Sequence, residues 1–317
     1  MTGSDNTTAI KGRFAPSPSG RMHLGNVFTA LISWLSVKSR GGKWLLRIED
    51  LDPQRSKIEY ARLIEDDLRW LGLEWDEGGL DGIGDNGPYC QSRRDEIYRE
   101  VLDRLNAMRL TYPCCCTRAD IMATQAPHES DGRIIYQGTC RPASQPPFAP
   151  IVTEKPCATR LYVPDREIQF ADGVFGRQSV NLTNHCGDFV LRRADGAWAY
   201  QLAVVVDDAL MGVTEVVRGC DLLLSTAQQL YLYELLGYVP PRYIHLPLLS
   251  NAAGQRLSKR DMAMSMEELR RRYTPEEVIG RLAGMARIKD DYEPCTANSL
   301  INSFDVSRLP KQTAIIV

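Results

Sequence analysis

Arg13-Phe14-Ala15-Pro16-Ser17-Pro18-Ser19-Gly20-Arg21-Met22-His23-Leu24-Gly25-Asn26 is the stretch whose reading decides the fold. The residues that lead into it, Ala9 to Ala15, are short and partly apolar, as a first β-strand is. Those that follow put Val27, Phe28, Leu31, Trp34 and Leu35 on one face of a helix. A strand, a turn of Pro, Ser and Gly, and then a helix bring backbone N–H groups and a helix N-terminus to an anion. Lys43 to Ile48 suits a buried strand and ends in Glu49-Asp50, which completes a β-α-β unit. In such sheets ligands sit outside the carboxyl ends of the strands, so the turn and Glu49 fall on the same edge. The expectation is an α/β fold with a doubly wound parallel sheet.

Further along, Ser56-Lys57-Ile58-Glu59 reads as a capping box that starts a helix, with Ile58, Ala61, Ile64, Leu68 and Leu71 as its buried stripe. Gly78 to Gly87 is a glycine-rich loop, and a second scaffold helix is expected from about Arg93 to Met108 through Ile97, Val101, Leu102 and Leu105. After a proline-rich span from Ala143 to Pro156, Cys157–Val163 and Glu167–Val174 read as short strands of a small α+β module. Asp188–Arg193 reads as a strand, and Val213–Val217 as another. Ala203-Val204-Val205-Val206-Asp207-Asp208 fits a central strand or a buried helix equally, because periodicity cannot separate them. Ser225 and Thr226 open a helix through Leu230, Leu232 and Leu235.

The bulk properties narrow the function classes. The 317 residues suffice for one large domain with an insertion or a small second domain. A net charge of −2 excludes a polycation that holds nucleic acid through bulk charge, so RNA contact needs a local basic face. Arg270-Arg271-Arg272 is a candidate, although such a run is more often a solvated helix face. No apolar run reaches bilayer length, and Met1 to Thr8 lack the order of a signal peptide, so a cytoplasmic protein is expected. Nine cysteines in such a chain argue for metal binding or buried thiols and against disulfides. Cys114-Cys115-Cys116 and, after a polar segment, Tyr136 to Cys140 are the region where a tetrahedral zinc site could form. From metal chemistry alone, Cys115 or His128 ranks above Tyr136 as the further ligand. His185 and Cys186 read as structural.

The opening stretch resembles the HIGH signature of class I aminoacyl-tRNA synthetases in the form used by the glutamyl branch. Three more blocks carry the resemblance almost to the end of the chain. Tyr200 to Asp208 is similar to the family's Tyr-x-Leu-Ala-x-Val-Val-Asp-Asp, and Val216-Val217-Arg218-Gly219-Cys220-Asp221-Leu222 to its Val-Val-Arg-Gly-x-Asp-Leu. Arg256-Leu257-Ser258-Lys259-Arg260 resembles the KMSKS loop, departing at its first and last positions.

The resemblance implies a class I synthetase Rossmann-like domain whose halves, residues 9–112 and 188–250, flank an insertion at 113–187 with a zinc module. Residues 251–317 would carry the KMSKS loop and a short helical end, too little for the anticodon-binding domains of a full glutamyl-tRNA synthetase. That length points to the shortened, glutamyl-Q branch of the family, whose members activate glutamate with ATP and transfer it to the queuosine base in the anticodon of tRNA(Asp). The chemistry implied is attack of a carboxylate on the α-phosphate of ATP, with Mg2+ screening the nucleotide. His23 and Asn26 hold the positions of the two histidines of HIGH, and Lys259 with Ser258 would serve the phosphates. By the same match Arg13, Phe14, Ala15, Pro16, Ser17, Glu49, Tyr200 and Arg218 form the glutamate pocket. The two guanidiniums suit carboxylate and Glu49 suits the α-ammonium. The resemblance also favours Cys114, Cys116, Tyr136 and Cys140 as ligands of one structural Zn2+, and a monomer is expected. The rival readings are a compact glutamyl-tRNA synthetase that charges a 3′ end, a synthetase-like binding protein without catalysis, and a different nucleotidyl transferase.

Overall fold

The computed structural model describes residues 9–123, 135–251 and 264–316. The first part of the chain forms β1 (Lys11–Phe14), α1 (Leu24–Lys38), β2 (Lys43–Leu46), α2 (Ile58–Trp70), β3 (Glu77–Gly78) and α3 (Asp95–Ala107). There follow β4 (Thr111–Cys114), α4 (Arg118–Ala123), β5 (Ala158–Leu161), β6 (Glu167–Asp172), β7 (Gly176–Asn181) and the single turn α5 (Leu182–His185). The chain then runs through β8 (Phe189–Arg192), α6 (Tyr200–Leu210), β9 (Glu215–Gly219), α7 (Ser225–Leu236), β10 (Arg242–Leu246) and β11 (Leu248–Ser250). It closes with α8 (Met266–Arg272), α9 (Pro275–Met285) and β12 (Ala314–Ile316).

Seven strands make one sheet in the order β3-β2-β1-β9-β10-β6-β7, parallel except for β7. The chain winds outward from β1 through β2 to β3, then returns to the other side of β1 as β9 and β10. The strand order therefore reverses between β1 and β9, and a crevice opens at their carboxyl ends, where open α/β sheets bind ligands.

The α1 helix is apolar nearly all round and buries Leu24, Val27, Phe28, Leu31, Trp34 and Leu35 among others. It crosses β1 closely because residue 12 is a glycine: a Cβ there would stand 2.4 Å from Cγ2 of the buried Val37.

Several local readings need correction. The α2 helix starts without a side-chain cap, so Ser56 does not close a capping box. Its first turn is pinned instead by the Lys57 N–H, which donates to the Pro18 carbonyl at 2.9 Å. Ile58 is 49% exposed, while Ala61, Ile64, Leu68 and Leu71 do face the core. The Ala203–Asp208 run is helical. Its two acids need partners in different directions, and the roughly 100° between successive helical residues supplies them.

The inserted span does not stand apart from the sheet. The β6–β7 hairpin joins the main sheet through the pairing of Asp172 with Tyr243 of β10. A separate three-stranded sheet, β4-β5-β8, carries the cysteine-rich end. Contrary to the expectation against disulfides, Cys115 and Cys157 are bonded. The register explains this: Cys114 lies opposite Ala158 in the antiparallel β4–β5 pair, so the next two residues outward face each other across the strands.

The tail is integral to the core. β12 pairs with β11, and Leu300, Leu309 and Ile315 are buried. The basic triplet of α8 is engaged by acids: Arg270 bridges Asp66 and Asp67, while Arg271 and Arg272 bridge Glu268. Among the described residues no helix is long and apolar enough to cross a membrane.

Candidate active site

The crevice has a volume of about 510 Å³ and is lined by residues of β1, the turn after it, the start of α1, α6, β9 and β11. Every pocket residue expected from the sequence contributes to this lining: Arg13, Phe14, Ala15, Pro16, Ser17, Glu49, Tyr200 and Arg218, together with His23 and Asn26. Ser258 and Lys259 lie outside the described residues. The flanks of their segment do reach the crevice, since Leu248 and Leu249 line it and the Met266 N–H donates to the Met22 carbonyl at 2.8 Å.

His23 and Asn26 cap α1 reciprocally. His23 Nδ1 accepts from the Gly25 N–H at 3.1 Å, and Asn26 Oδ1 accepts from the His23 N–H at 3.1 Å. With Nδ1 and Oδ1 so used, the remaining polar atoms of these side chains are His23 Nε2 and the Asn26 NH2. Both sit at the helix N-terminus, where the dipole and backbone N–H groups favour an anion.

Two buried guanidiniums face the crevice. Arg13 is 4% exposed; its Nε donates to Asp208 Oδ1 at 3.3 Å and its Nη1 to the Val217 carbonyl at 3.4 Å. Arg218 is equally buried and donates to His245 Nε2, Gln229 Oε1 and Thr226 Oγ1 at 3.0, 2.7 and 2.8 Å. Glu49 stands between the strands, accepting from Arg47 Nη2 at 3.2 Å. Burial raises its carboxyl above the usual range, against the opposing pull of Arg47 and Arg13.

The acids of α6 carry no role in the sequence reading, yet they hold the site together. Asp208 takes Arg47 Nη1 at 2.7 Å as well as Arg13. Asp207, fully buried, accepts from Arg94, Gln91 and Tyr98 at 2.7, 2.7 and 2.9 Å. Two acids inside an apolar run were the available signal, because a buried carboxylate must be paired. Arg21 is a further lining residue without an expected role, held by Asp67 through contacts of 3.0 and 3.3 Å.

About the disulfide lies a second cluster. The Sγ atoms of Cys114, Cys116 and Cys140 all lie within 4.8 Å of one another, a group able to hold a metal ion. Tyr136 Oη is 3.4 Å from Cys114 Sγ and accepts from the Cys140 N–H at 2.7 Å, while Cys116 and Cys140 are 3.4 Å apart. Four ligands about 2.3 Å from a tetrahedral zinc stand roughly 3.8 Å apart, so the spacing fits. Burial opposes ionisation of Cys114, but hydrogen bonds from Tyr136 and Arg160 bring its thiol down to about 7. Burial and the neighbouring thiols push Cys116 up to about 12, a crowding that a cation would relieve. Of the two rivals to Tyr136, Cys115 is committed to Cys157 and His128 lies outside the described residues.

A sheet with its switch point between β1 and β9, a helix-capping His-x-x-Asn and two buried guanidiniums at one crevice are the arrangement of a class I ligase. The family model described as tRNA synthetases class I (E and Q), catalytic domain, matches residues 9–317, and the chain belongs to this family. Curated relatives of similar length include proteins named Glutamyl-Q tRNA(Asp) synthetase. That of Symbiobacterium thermophilum is 49% identical over 306 residues, 95% of this chain and 94% of its own. That of Nitratidesulfovibrio vulgaris is 46% identical over 309 residues, 96% of this chain and 95% of its own. The solved glutamate tRNA ligase of Elizabethkingia meningosepticum, in complex with its amino acid, superposes with a TM-score of 0.81 at 30% identity. That match covers 96% of this chain but 66% of the other, so the chain spans just under two thirds of that ligase.

Proposed function

We propose that this chain activates L-glutamate with ATP and transfers it to the queuosine base in the anticodon of tRNA(Asp). The observation that carries the first half is the charge pattern at the switch point. Two buried guanidiniums, Arg13 and Arg218, and one carboxylate, Glu49, complement a substrate with two carboxylates and one ammonium. In this reading Arg218 takes one carboxylate of glutamate, Glu49 takes the ammonium, and Tyr200 adds a hydroxyl donor. Arg13 and the Phe14–Ser17 turn close the other side. Likeness to the Glutamyl-Q tRNA(Asp) synthetases over nearly the whole length of both chains supports the second half.

The reaction follows from that placement. An oxygen of the substrate α-carboxylate attacks the α-phosphorus of ATP, accompanied by Mg2+, and the bond to pyrophosphate breaks. Charge accumulates on the α-phosphoryl and leaving oxygens, and the Nε2–H of His23 and the NH2 of Asn26 are its donors at the α1 N-terminus. Ser258 and Lys259 would serve the β- and γ-phosphates from the segment between β11 and α8. A nucleophile of the acceptor then attacks the glutamyl carbonyl, and AMP leaves.

In the same reading Cys114, Cys116, Tyr136 and Cys140 hold one zinc ion, which ties the end of β4 to the Tyr136–Cys140 loop. Likeness to the solved glutamate tRNA ligase favours one other acceptor, the 3′ end of a tRNA. Pyrophosphate exchange without tRNA tests the activation step: label should enter ATP only when L-glutamate is present. Exchange that ignores glutamate, or that answers to another carboxylate instead, contradicts it.

A further inference from the structure

Arg218 presents its guanidinium to the crevice, but all three of its nitrogens already hold a side-chain partner, and Nη2 also donates to the Leu222 carbonyl at 3.4 Å. Gln229 and Thr226 come from α7, and Gln229 is itself oriented by Gln201, to whose Oε1 its Nε2 donates at 2.8 Å. The third partner, His245 on β10, is fully buried and lies behind the residues that line the crevice. Its Nδ1 lies 2.7 Å from Asp172 Oδ2, and its backbone N–H donates to the same oxygen at 3.1 Å. Asp172 also accepts from the N–H groups of Val174 and Phe175, each at 2.9 Å, in the turn of the β6–β7 hairpin.

These contacts determine the proton's place. A carboxylate that already takes three backbone N–H groups is an acceptor only, so the contact with Nδ1 puts the His245 proton there. Nε2 is then an acceptor that takes the Nε–H of Arg218 at 3.0 Å, with the Thr226 hydroxyl as a second neighbour at 3.3 Å. Burial and the Arg218 charge also hold the ring below its ordinary titration range, the Asp172 contact notwithstanding. A protonated ring would set two donors and two positive charges 3.0 Å apart. The series Asp172–His245–Arg218 is therefore polarised in one direction, and its open end is the guanidinium in the crevice.

We propose that His245, held in its Nδ1–H form by Asp172, is a positioning residue that fixes the Arg218 guanidinium plane for the substrate carboxylate. The inference rests on Arg218 being the group that takes that carboxylate. It gives the inserted span a part in amino-acid binding, since Asp172 ends β6 and is linked to Arg218 through His245.

Two near-isosteric variants separate the two sides of the ring. His245→Asn keeps an N–H at the Nδ1 position for Asp172 but withdraws the acceptor from Arg218. His245→Gln keeps a carbonyl at the Nε2 position for Arg218 and gives up the bond to Asp172. In glutamate-dependent pyrophosphate exchange, His245→Asn should raise the glutamate KM by about tenfold or more, the worth of one hydrogen bond to a charged group. The KM for ATP and kcat should stay put, and His245→Gln should recover most of the loss. Equal effects of the two variants, or a fall in kcat with KM unchanged, overturn the proposal. Arg218→Ala separates the two layers. If it leaves the glutamate KM unmoved, the pocket reading fails and this inference with it. If it raises KM while His245→Asn does not, the inference alone fails. Nitrogen-15 spectra of the wild-type histidines, of which the chain has four, need no variant to fold: they should show His245 protonated at Nδ1, and an Nε2–H ring overturns the account.

Discussion

Arg13 Nε and Asp208 Oδ1 meet at 3.3 Å across the junction of β1 and α6, and neither side chain exposes more than 5% of its surface. The same carboxylate oxygen takes Arg47 at 2.7 Å. One acid of α6 thus balances a crevice arginine and a core arginine together. Replacing it with a neutral amide leaves two buried cations short of charge. Asp208→Asn should cost about 3 kcal/mol, the lower end for a broken buried pair, read from urea unfolding. A loss within experimental error of zero would show that Arg13 and Arg47 are balanced by other groups. Burial works against the Asp208 carboxylate, but Arg47 and Arg13 hold its carboxyl below the usual range. Its stabilising contribution is present at neutral pH and is lost as pH falls through that lowered value.

Glu49 is shifted the other way. Burial, only partly offset by Arg47 and Arg13, raises its carboxyl. In the ligand-free protein the charge that would meet the substrate ammonium is therefore lost earlier on acidification than an ordinary glutamate would lose it. The glutamate KM should rise as pH falls toward mild acidity, and Glu49→Gln should be poor at every pH with a flat profile in that range. A wild-type KM that stays level down to the ordinary carboxylate range would remove Glu49 from ammonium binding.

The thiol cluster predicts one bound zinc per chain, retained on gel filtration and counted by elemental analysis. Cys140→Ser should lower the zinc content sharply and increase protease cleavage near the Tyr136–Cys140 loop. Protein that carries no metal even when refolded with zinc would leave these residues as a reduced thiol cluster beside the Cys115–Cys157 disulfide.

Gly12 offers a test of the packing of α1 on β1. A methyl at residue 12 would stand 2.4 Å from Cγ2 of Val37 on α1. Gly12→Ala should therefore destabilise by about 1–3 kcal/mol, the usual range for overpacking. Val37→Ala in the same chain should restore part of that loss, because the two changes share one space. Additive losses in the double variant would mean that α1 does not rest on β1 at this point.

How much of this was legible in the sequence depended on how local the deciding contacts are. The β1-turn-α1 unit and Glu49 were readable, because apolar spacing and turn residues carry them within a few dozen positions. The Ala203–Asp208 run was not: its valines are buried on every side, so no alternation survives to distinguish strand from helix. Ser56 looked like a cap, but the helix start is fixed by the distant Pro18 carbonyl. The Cys115–Cys157 bond follows from the pairing of β4 with β5 across 42 positions, which no spacing rule reveals. His245 had no signal at all, for its partner Asp172 becomes a neighbour only once β6 lies beside β10.

Labelled glutamate and ATP should be offered with tRNA(Asp) in two forms, one carrying queuosine and one carrying guanosine at that position. The account predicts label on the queuosine form alone, and label that survives removal of the tRNA 3′ end. Label on the 3′ end, or equal labelling of both forms, would contradict it.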